Sequence, residues 1–121
     1  MLKLEDLQIY NLAMEMADTI RNSVIRWEYF HKDTIGKQLV RSADSIAANL
    51  SEGFGRYHYK ENKQFCYYAR GSLFETKTWI VKAHNAKLFS NEEFVNYNSR
   101  IEELSIKLNA YIKSIGRNQI K

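Results

Sequence analysis

Proline is absent from this sequence of 121 residues, and cysteine occurs once, as Cys66. Because proline breaks the interior of a helix more strongly than any other residue, its absence permits long uninterrupted helices. A single thiol excludes an internal disulfide and any zinc site that needs several thiolates. A chain of this length can bury roughly two-thirds of its unfolded surface, which is enough for an independent core.

Long apolar runs are also missing, since no stretch approaches the roughly 20 residues that cross a bilayer. Glu5 and Asp6 stand where a signal peptide would have a basic and then an apolar segment. A hydrophobic content of 45% with 26% charged residues is typical of a soluble globular protein. We expect a single domain, residues 1–121, located in the cytoplasm without membrane contact.

Apolar residues recur at steps of three and four, the spacing of one helix face, along four segments of the chain. The predicted helices are residues 5–28, 34–54, 59–87 and 91–115. The fourth has the most regular apolar heptad of the chain, which consists of Phe94, Tyr97, Ile101, Leu104, Leu108, Tyr111 and Ile115. Because the connections between them are short, sequential helices are expected to run antiparallel. The predicted fold is all-α, an antiparallel up-down-up-down four-helix bundle.

Residues near the predicted helix ends indicate how those ends are satisfied. Asp33 or Thr34 is expected to cap the second helix by accepting a hydrogen bond from its free N–H groups. Gly53 and Gly55 offer the left-handed conformation that commonly ends a helix. Residues 90–93, Ser-Asn-Glu-Glu, match a capping box at the start of the fourth helix.

The second predicted helix carries two stripes on different faces. The apolar stripe consists of Leu39, Ala43, Ile46, Leu50 and Phe54. The polar stripe spans roughly 80° and consists of Gln38, Arg41, Ser45, Asn49 and Glu52. Short Ser and Asn side chains beside an Arg and a Glu suit close packing against protein with shared hydrogen bonds. The alternative is a solvated face that happens to be rich in small residues.

The third predicted helix has a seam of mostly small residues, which lets a neighbouring helix approach closely. The seam consists of Phe65, Ala69, Ser72, Thr76, Trp79, Ala83 and Ala86. Glu75 stands among apolar residues and needs a counter-charge, for which Arg41 is a candidate. We expect a polar network, within or between subunits, of Arg41, Ser45, Asn49, Glu52, Arg70, Ser72 and Glu75. A second contact surface of this kind predicts homo-oligomerisation.

Positive charge is concentrated in the third quarter of the chain. Residues 56–87 contain seven Lys or Arg and two acids, a balance of +5, whereas the whole chain carries +4. Cations neutralise phosphates and release counterions, so this asymmetry predicts an anionic partner. The candidate nucleic-acid-binding residues are Arg41, Arg56, Lys60, Lys63, Arg70 and Lys77.

Aromatic residues are interleaved with these cations. On the third helix, one face holds Lys63, Tyr67, Arg70, Phe74 and Lys77. Aromatic rings stack with unpaired bases, so the mixture suits RNA or single-stranded DNA. Alternatively, the cations keep the bundle surface soluble and the tyrosines pack between subunits.

Residue patterns that could carry catalysis or bind a metal are weak. Glu28 and His31 have the spacing of one half of a di-iron site, but the other half is missing. Arg26 and His31 resemble the Arg-x4-6-His signature of small helical nucleases of the higher-eukaryote-and-prokaryote nucleotide-binding superfamily, a spacing that is common by chance. Cys66 and His58 lack a third group to orient them as a nucleophile pair. We expect no enzymatic activity, no cofactor and no metal site.

The string QLVRSADSIAANLSEGFGR at residues 38–56, followed by ARGSLFE at residues 69–75, resembles the signature of a four-helix bundle family. That family was first noticed as open reading frames within intervening sequences of bacterial large-subunit ribosomal RNA genes, and it is sometimes labelled ribosomal protein. The resemblance covers about residues 4–115. Val40 and Ala47 depart from the family pattern, which usually has Arg and Pro at these positions, without an obvious effect on the fold.

The family is similar in architecture to the accessory variability determinant of diversity-generating retroelements, a basic pentameric barrel that engages nucleic acid and a reverse transcriptase. The resemblance therefore implies a homopentamer with a central channel. Our leading hypothesis is a non-enzymatic, homo-oligomeric bundle that binds RNA through basic surfaces. A structural or adaptor protein that assembles with a partner such as a reverse transcriptase is the second hypothesis, and a nuclease that uses Arg26 and His31 is the third.

Overall fold

The structure is a computed structural model that describes residues 1–117. Its four helices are α1 (Gln8–Val24), α2 (Lys37–Phe54), α3 (Tyr59–Asn85) and α4 (Asn91–Ser114). Residues 1–117 contain no strand, and the prediction of an all-α fold with four helices is confirmed. A short 3-10 turn, Leu4–Asp6, precedes α1. Among these helices none is long and apolar enough to cross a membrane.

Each helix packs against two others, and the four contacts close into a ring. The α2 helix lies between α1 and α3, and α4 lies between α3 and α1. The apolar stripe predicted for α2 faces this core, with Leu39, Ile46 and Leu50 fully buried. The heptad positions Ile101 and Leu108 of α4 are buried against it as well. The apolar faces of α2 and α4 are therefore those that the sequence predicts.

The core-facing stripe of α3 coincides with only part of the predicted seam, since Ala69, Thr76 and Ala83 are fully buried. Cys66, Leu73 and Ile80 are fully buried although the seam omits them, whereas Ala86, which the seam includes, is exposed. Two overlapping stripes of small and apolar residues run along this helix, and periodicity alone does not show which one faces the core. Trp79, another residue of the predicted seam, is half-buried.

The connection between α1 and α2 differs from the prediction. The α1 helix ends at Val24, and the chain then forms a helical turn at Tyr29–His31 and a π-helical turn at Lys32–Gly36 that runs directly into α2. Because the backbone is already helical at Asp33 and Thr34, neither residue caps α2, and that prediction is wrong. A side chain at Gly36 would place its Cβ 2.7 Å from Val24 Cγ1, so glycine allows this turn to lie against the end of α1.

The prediction that Gly53 or Gly55 ends α2 in the left-handed conformation is wrong. Gly55 ends α2 with φ −78° and ψ −2°, and neither Gly53 nor Gly55 has a positive φ. The left-handed residue instead follows α3, at Lys87 with φ 62°. There the Leu88 N–H donates to the carbonyl of Ala83 at 2.9 Å, which satisfies an end carbonyl of the helix.

The capping box predicted for α4 is confirmed. The backbone N–H of Ser90 donates to Glu93 Oε1 at 2.9 Å, and the backbone N–H of Glu93 donates to Ser90 Oγ at 3.0 Å. Two N–H groups that the first turn leaves unpaired are thereby satisfied.

A buried polar contact joins α2 to α3 inside the core. Thr76 Oγ1 lies 3.0 Å from Ser42 Oγ. Each hydroxyl also reaches a carbonyl of its own helix, Leu39 at 3.1 Å from Ser42 and Ser72 at 2.8 Å from Thr76. One hydroxyl therefore donates to the other, and the proton of the acceptor is directed to a backbone oxygen.

We expect Ser42→Ala and Thr76→Val each to lower the free energy of unfolding by about 1 kcal/mol, because each breaks a buried hydrogen bond. The double variant is expected to lose less than the sum of the two, by about 1 kcal/mol. Urea denaturation of the four proteins measures this coupling. Thr78→Val is a matched control, since Thr78 is exposed and bonds only to the Phe74 carbonyl of its own helix. Strictly additive losses would contradict the proposed contact.

Candidate nucleic-acid interface and subunit surface

Arg41 and Glu75 form an ion pair that connects the polar stripe of α2 to α3. Arg41 also donates to Gln38 Oε1 at 3.0 Å. The indole N–H of Trp79 donates to the same Glu75 oxygen that Arg41 contacts, at 3.2 Å. The side chains of Arg41 and Glu75 are 53% and 38% exposed, so the pair contributes little to stability but sets the orientation of both groups.

The other polar residues of α2 bond within their own helix. Ser45 Oγ donates to the Arg41 carbonyl, and Asn49 Nδ2 donates to the Ser45 carbonyl, both at 2.9 Å. Glu52 pairs with Arg56 at 2.8 Å, one turn further along the chain. None of Ser45, Asn49 and Glu52 bonds to α3 in the described part of the chain. Of the predicted network, only the contact between Arg41 and Glu75 joins α2 to α3 within one chain in residues 1–117.

The predicted network residues on α3 divide between two sides of the helix. Glu75 faces α2, as its contact with Arg41 shows. Arg70 faces α4, where it donates to Asn109 Oδ1 at 2.9 Å. Ser72 contributes only a backbone carbonyl, which accepts from Thr76. Arg70 and Glu75 consequently belong to two different surfaces.

We call the first surface the α2–α3 face. It consists of Arg41, Ser45, Asn49 and Glu52 of α2 and Ser72 and Glu75 of α3. At its far end, the Arg56 guanidinium lies 4.7 Å from the centre of the Phe65 ring, and Phe65 packs edge-on against Tyr68 at 5.5 Å. This face combines half-buried small polar groups with an ion pair and an aromatic edge.

We call the second surface the α3 stripe. It consists of Lys63, Tyr67, Arg70, Phe74 and Lys77. The steps of four and three between these residues place them along one side of the helix, with about 10.5 Å between residues seven apart. Tyr67 and Phe74 are 43% and 53% exposed. The Arg70 guanidinium lies 5.1 Å from the centre of the Tyr67 ring.

The six predicted cations differ in how far their charge is compensated. Arg41 and Arg56 are paired with the carboxylates of Glu75 and Glu52. Arg70 bonds to a neutral amide and keeps an uncompensated charge. Within residues 1–117, no ion pair or side-chain hydrogen bond involves the three lysines Lys60, Lys63 and Lys77. Of these six candidates, the four without a carboxylate partner in residues 1–117 therefore lie on α3, and Lys63, Arg70 and Lys77 belong to the α3 stripe.

A groove between α3 and α4 borders the stripe. It is lined by Lys77, Val95, Asn98, Ser99, Ile101 and Glu102. Asn98 Oδ1 is buried and has no hydrogen-bond partner, and no other buried side-chain oxygen or nitrogen of residues 1–117 is in that state. Buried acceptors in proteins are nearly always paired, so this carbonyl oxygen is an exception.

Asn98 and Asn109 are not among the site residues predicted from the sequence. Both lie on a polar face of α4 whose steps of four, three and four run through Glu102 and Ser105. Residues at this spacing lie on one face of a helix, so the sequence could have predicted a polar face beside the apolar heptad of α4. The contact of Asn109 with Arg70, and the unpaired oxygen of Asn98, follow only from the packing of the two helices.

No hydrogen bond or ion pair joins the residues considered for catalysis to one another in residues 1–117. The Arg26 guanidinium donates to the Asn22 carbonyl at 2.7 Å, and the His31 ring lies edge-on to Phe30. His58 lies edge-on to Tyr57. None of these contacts forms an acid–base pair with a nucleophile.

Cys66 is fully buried, and burial raises the pKa of its thiol to about 11, which keeps the sulfur protonated and unreactive. Its nearest polar partner is Asn62 Oδ1, at 3.7 Å from the sulfur. No group of three or more His, Cys, Asp or Glu side chains in the described residues could hold a metal ion.

A sequence profile of the 23S rRNA-intervening sequence protein family matches residues 5–110. A solved structure of a protein of unknown function from the S23 ribosomal protein family of Bacteroides thetaiotaomicron superimposes with a TM-score of 0.78. Sequence identity is 22%, and the alignment covers 88% of this chain and 99% of that chain. At this identity the likeness concerns the fold alone. A comparison with curated proteins finds no match.

Proposed function

The chain belongs to the 23S rRNA-intervening sequence protein family, and from this premise we propose that it is a non-enzymatic, homo-oligomeric bundle that binds RNA in the cytoplasm. The α3 stripe and the neighbouring Lys60 form the RNA-binding surface. The α2–α3 face joins the subunits. The two surfaces use different sides of α3, so one chain serves both at once.

The observation that carries the proposal is the set of uncompensated cations on α3. Lys60, Lys63 and Lys77 have no carboxylate partner in residues 1–117, and two exposed aromatic rings lie between the last two of them. Cations without a protein partner are free to neutralise phosphates, and the exposed rings supply faces for bases. Arg41 and Arg56, which are already paired, contribute less to this surface.

The subunit runs up-down-up-down, and contacts between α1 and α4 support this direction. Ser23 near the end of α1 lies 3.1 Å from Tyr97 near the start of α4, whereas Gln8 at the start of α1 bonds to Lys107. The same arrangement agrees with the short connections that join α2 to α3 and α3 to α4.

The assembly is a homopentamer, as the family resemblance implies. Ser45 and Asn49 support a contact through the α2–α3 face, because they are short, half-buried and bonded only to their own helix in residues 1–117. Such side chains leave a shallow surface that a second copy can approach closely. Their remaining hydrogen-bonding capacity is available to that copy.

RNA binding is tested by titration over a salt series. The triple variant Lys60→Glu, Lys63→Glu and Lys77→Glu is expected to bind RNA far more weakly. Its slope of log affinity against log salt should fall by about two, since each cation contributes roughly 0.7 for a single strand. A matched triple, Arg21→Glu, Lys82→Glu and Lys87→Glu, makes the same change of net charge from +4 to −2 outside the α3 stripe.

Equal losses in the two triples would contradict a defined RNA surface and indicate only a net-charge effect. An oligomer that binds no RNA at low salt would overturn the RNA-binding proposal. That result would leave a structural or adaptor role with a protein partner.

A further inference from the structure

The α3 stripe and the α3–α4 groove together limit the form of nucleic acid that fits. We infer that the bound RNA is single-stranded and lies along this groove, with two bases stacked on Tyr67 and Phe74 and one base edge hydrogen-bonded to Asn98. This inference rests on the proposed function and narrows it.

The two exposed rings favour a single strand over a duplex. In an RNA duplex, base faces are hidden by stacking, and the deep, narrow major groove does not admit side chains to the base edges. Tyr67 and Phe74 lie one heptad apart on a convex helix surface, about 10.5 Å along its axis. Unpaired bases can turn outward and stack on such rings, whereas paired bases cannot.

The charged side chains around the groove determine on which side the phosphates of a bound strand lie. Lys63, Arg70 and Lys77 lie on α3, and Asn109 holds the Arg70 guanidinium beside the Tyr67 ring. Glu102 lines the α4 side of the groove and repels phosphates there. Phosphates are therefore directed toward the cations of α3 and away from Glu102 on the α4 side of the groove.

Asn98 supplies the hydrogen-bonding group on the α4 side. Its carbonyl oxygen lacks a donor in residues 1–117 and is buried, so a base reaches it once the Asn98 side chain rotates into the groove, where an exocyclic amino group supplies the donor. An asparagine amide pairs through two hydrogen bonds with adenine, accepting from the amino group and donating to a ring nitrogen. The groove is consequently expected to prefer adenine over uracil next to the Lys77 position.

The experiment measures fluorescence anisotropy with three labelled probes at one salt concentration: a 12-nucleotide oligoadenylate, a 12-nucleotide oligouridylate and a 12-base-pair RNA duplex. We expect the oligoadenylate to bind at least about tenfold more tightly than the duplex. The double variant Tyr67→Ala and Phe74→Ala should lose about a hundredfold in affinity for it, since each stacked base contributes substantially. The matched double variant Tyr29→Ala and Phe30→Ala removes one exposed Tyr and one exposed Phe elsewhere and should change little.

Asn98→Leu tests the base contact, because leucine is close in size and lacks polar atoms. If Asn98 accepts from a base, the preference for oligoadenylate over oligouridylate disappears while affinity for oligouridylate is kept. If the buried oxygen is instead satisfied by a rotated Lys77 side chain, the preference is unchanged by Asn98→Leu, and the base contact is overturned.

The outcomes separate this inference from the function on which it rests. Binding of the duplex as tightly as the single strands, still weakened by the lysine triple, overturns the single-strand inference and leaves RNA binding intact. Unchanged affinity of the Tyr67→Ala and Phe74→Ala double variant for the oligoadenylate also overturns the single-strand inference and leaves RNA binding intact. Failure of every probe to bind at low salt overturns the proposed function itself.

Discussion

Replacing Gly53 with alanine is expected to lower the free energy of unfolding by about 2 kcal/mol, although alanine is the better helix former. A Cβ at Gly53 would lie 2.7 Å from Asn62 Oδ1, 2.9 Å from the Asn62 carbonyl oxygen and 2.9 Å from Phe65 Cβ. The Asn62 side chain can rotate away, but the carbonyl and Phe65 Cβ cannot yield unless α3 moves. The strain of separating the two helices therefore exceeds the gain in helix propensity.

Gly71→Ala is the matched control and is expected to have the opposite sign. Gly71 lies in the middle of α3, is exposed, and a Cβ there would meet nothing within 4 Å. Alanine should raise the free energy of unfolding by about 0.5–1 kcal/mol, because only the backbone entropy of the unfolded chain and helix propensity change. Urea denaturation of both variants measures the difference. A stabilising effect of Gly53→Ala would contradict the close approach of α2 to α3.

Gly53 also illustrates what the sequence cannot show. Its position near a helix end predicts a left-handed cap, yet the residue is right-handed and is required for contact with Asn62 and Phe65. Local propensity identifies a site where a side chain is disfavoured. It does not distinguish a backbone that needs positive φ from a backbone that needs space, since space depends on another helix.

The spacing of apolar residues predicts the buried face of a helix correctly where the helix has one dominant apolar face. The stripes of α2 and α4 are of this kind, and Leu50 and Leu108 are fully buried as expected. On α3 the apolar and small residues are distributed around more of the surface. Which face of α3 is buried, namely the one through Leu73, therefore depends on how the neighbouring helices pack against it.

The sequence predicts the cations and aromatic rings of the candidate site, but it does not predict the roles of the Asn98 and Asn109 side chains. Lys63 and Tyr67 belong to a repeating pattern within one helix, which a sequence displays directly. The unpaired oxygen of Asn98 results from how α4 packs against α3, and it has no counterpart in the spacing of residues along α4. Long-range contacts of this kind require the three-dimensional arrangement.

Introducing two positive charges on the α2–α3 face is expected to dissociate the proposed oligomer. Ser45 and Asn49 lie one turn apart and bond only to α2 carbonyls in the described residues. Within a single subunit, Ser45→Arg with Asn49→Arg should cost only about 0.2–0.5 kcal/mol through repulsion along the helix. At a contact between subunits, the same two arginines would be desolvated and crowded, so association should be lost.

Light scattering at micromolar concentration measures the result. The native mass is expected to be five times the 14.3 kDa of one chain, and the double arginine variant is expected to have the mass of one chain. Asn96→Arg with Ala110→Arg is the control, since it adds the same charge at exposed positions of α4 and should keep the native mass. A native protein that is already monomeric would refute the assembly, whereas an oligomer that survives Ser45→Arg with Asn49→Arg would locate the subunit contact elsewhere. In the latter case the α3 stripe becomes the competing contact surface, because its heptad spacing suits a partner helix as well as a strand of RNA.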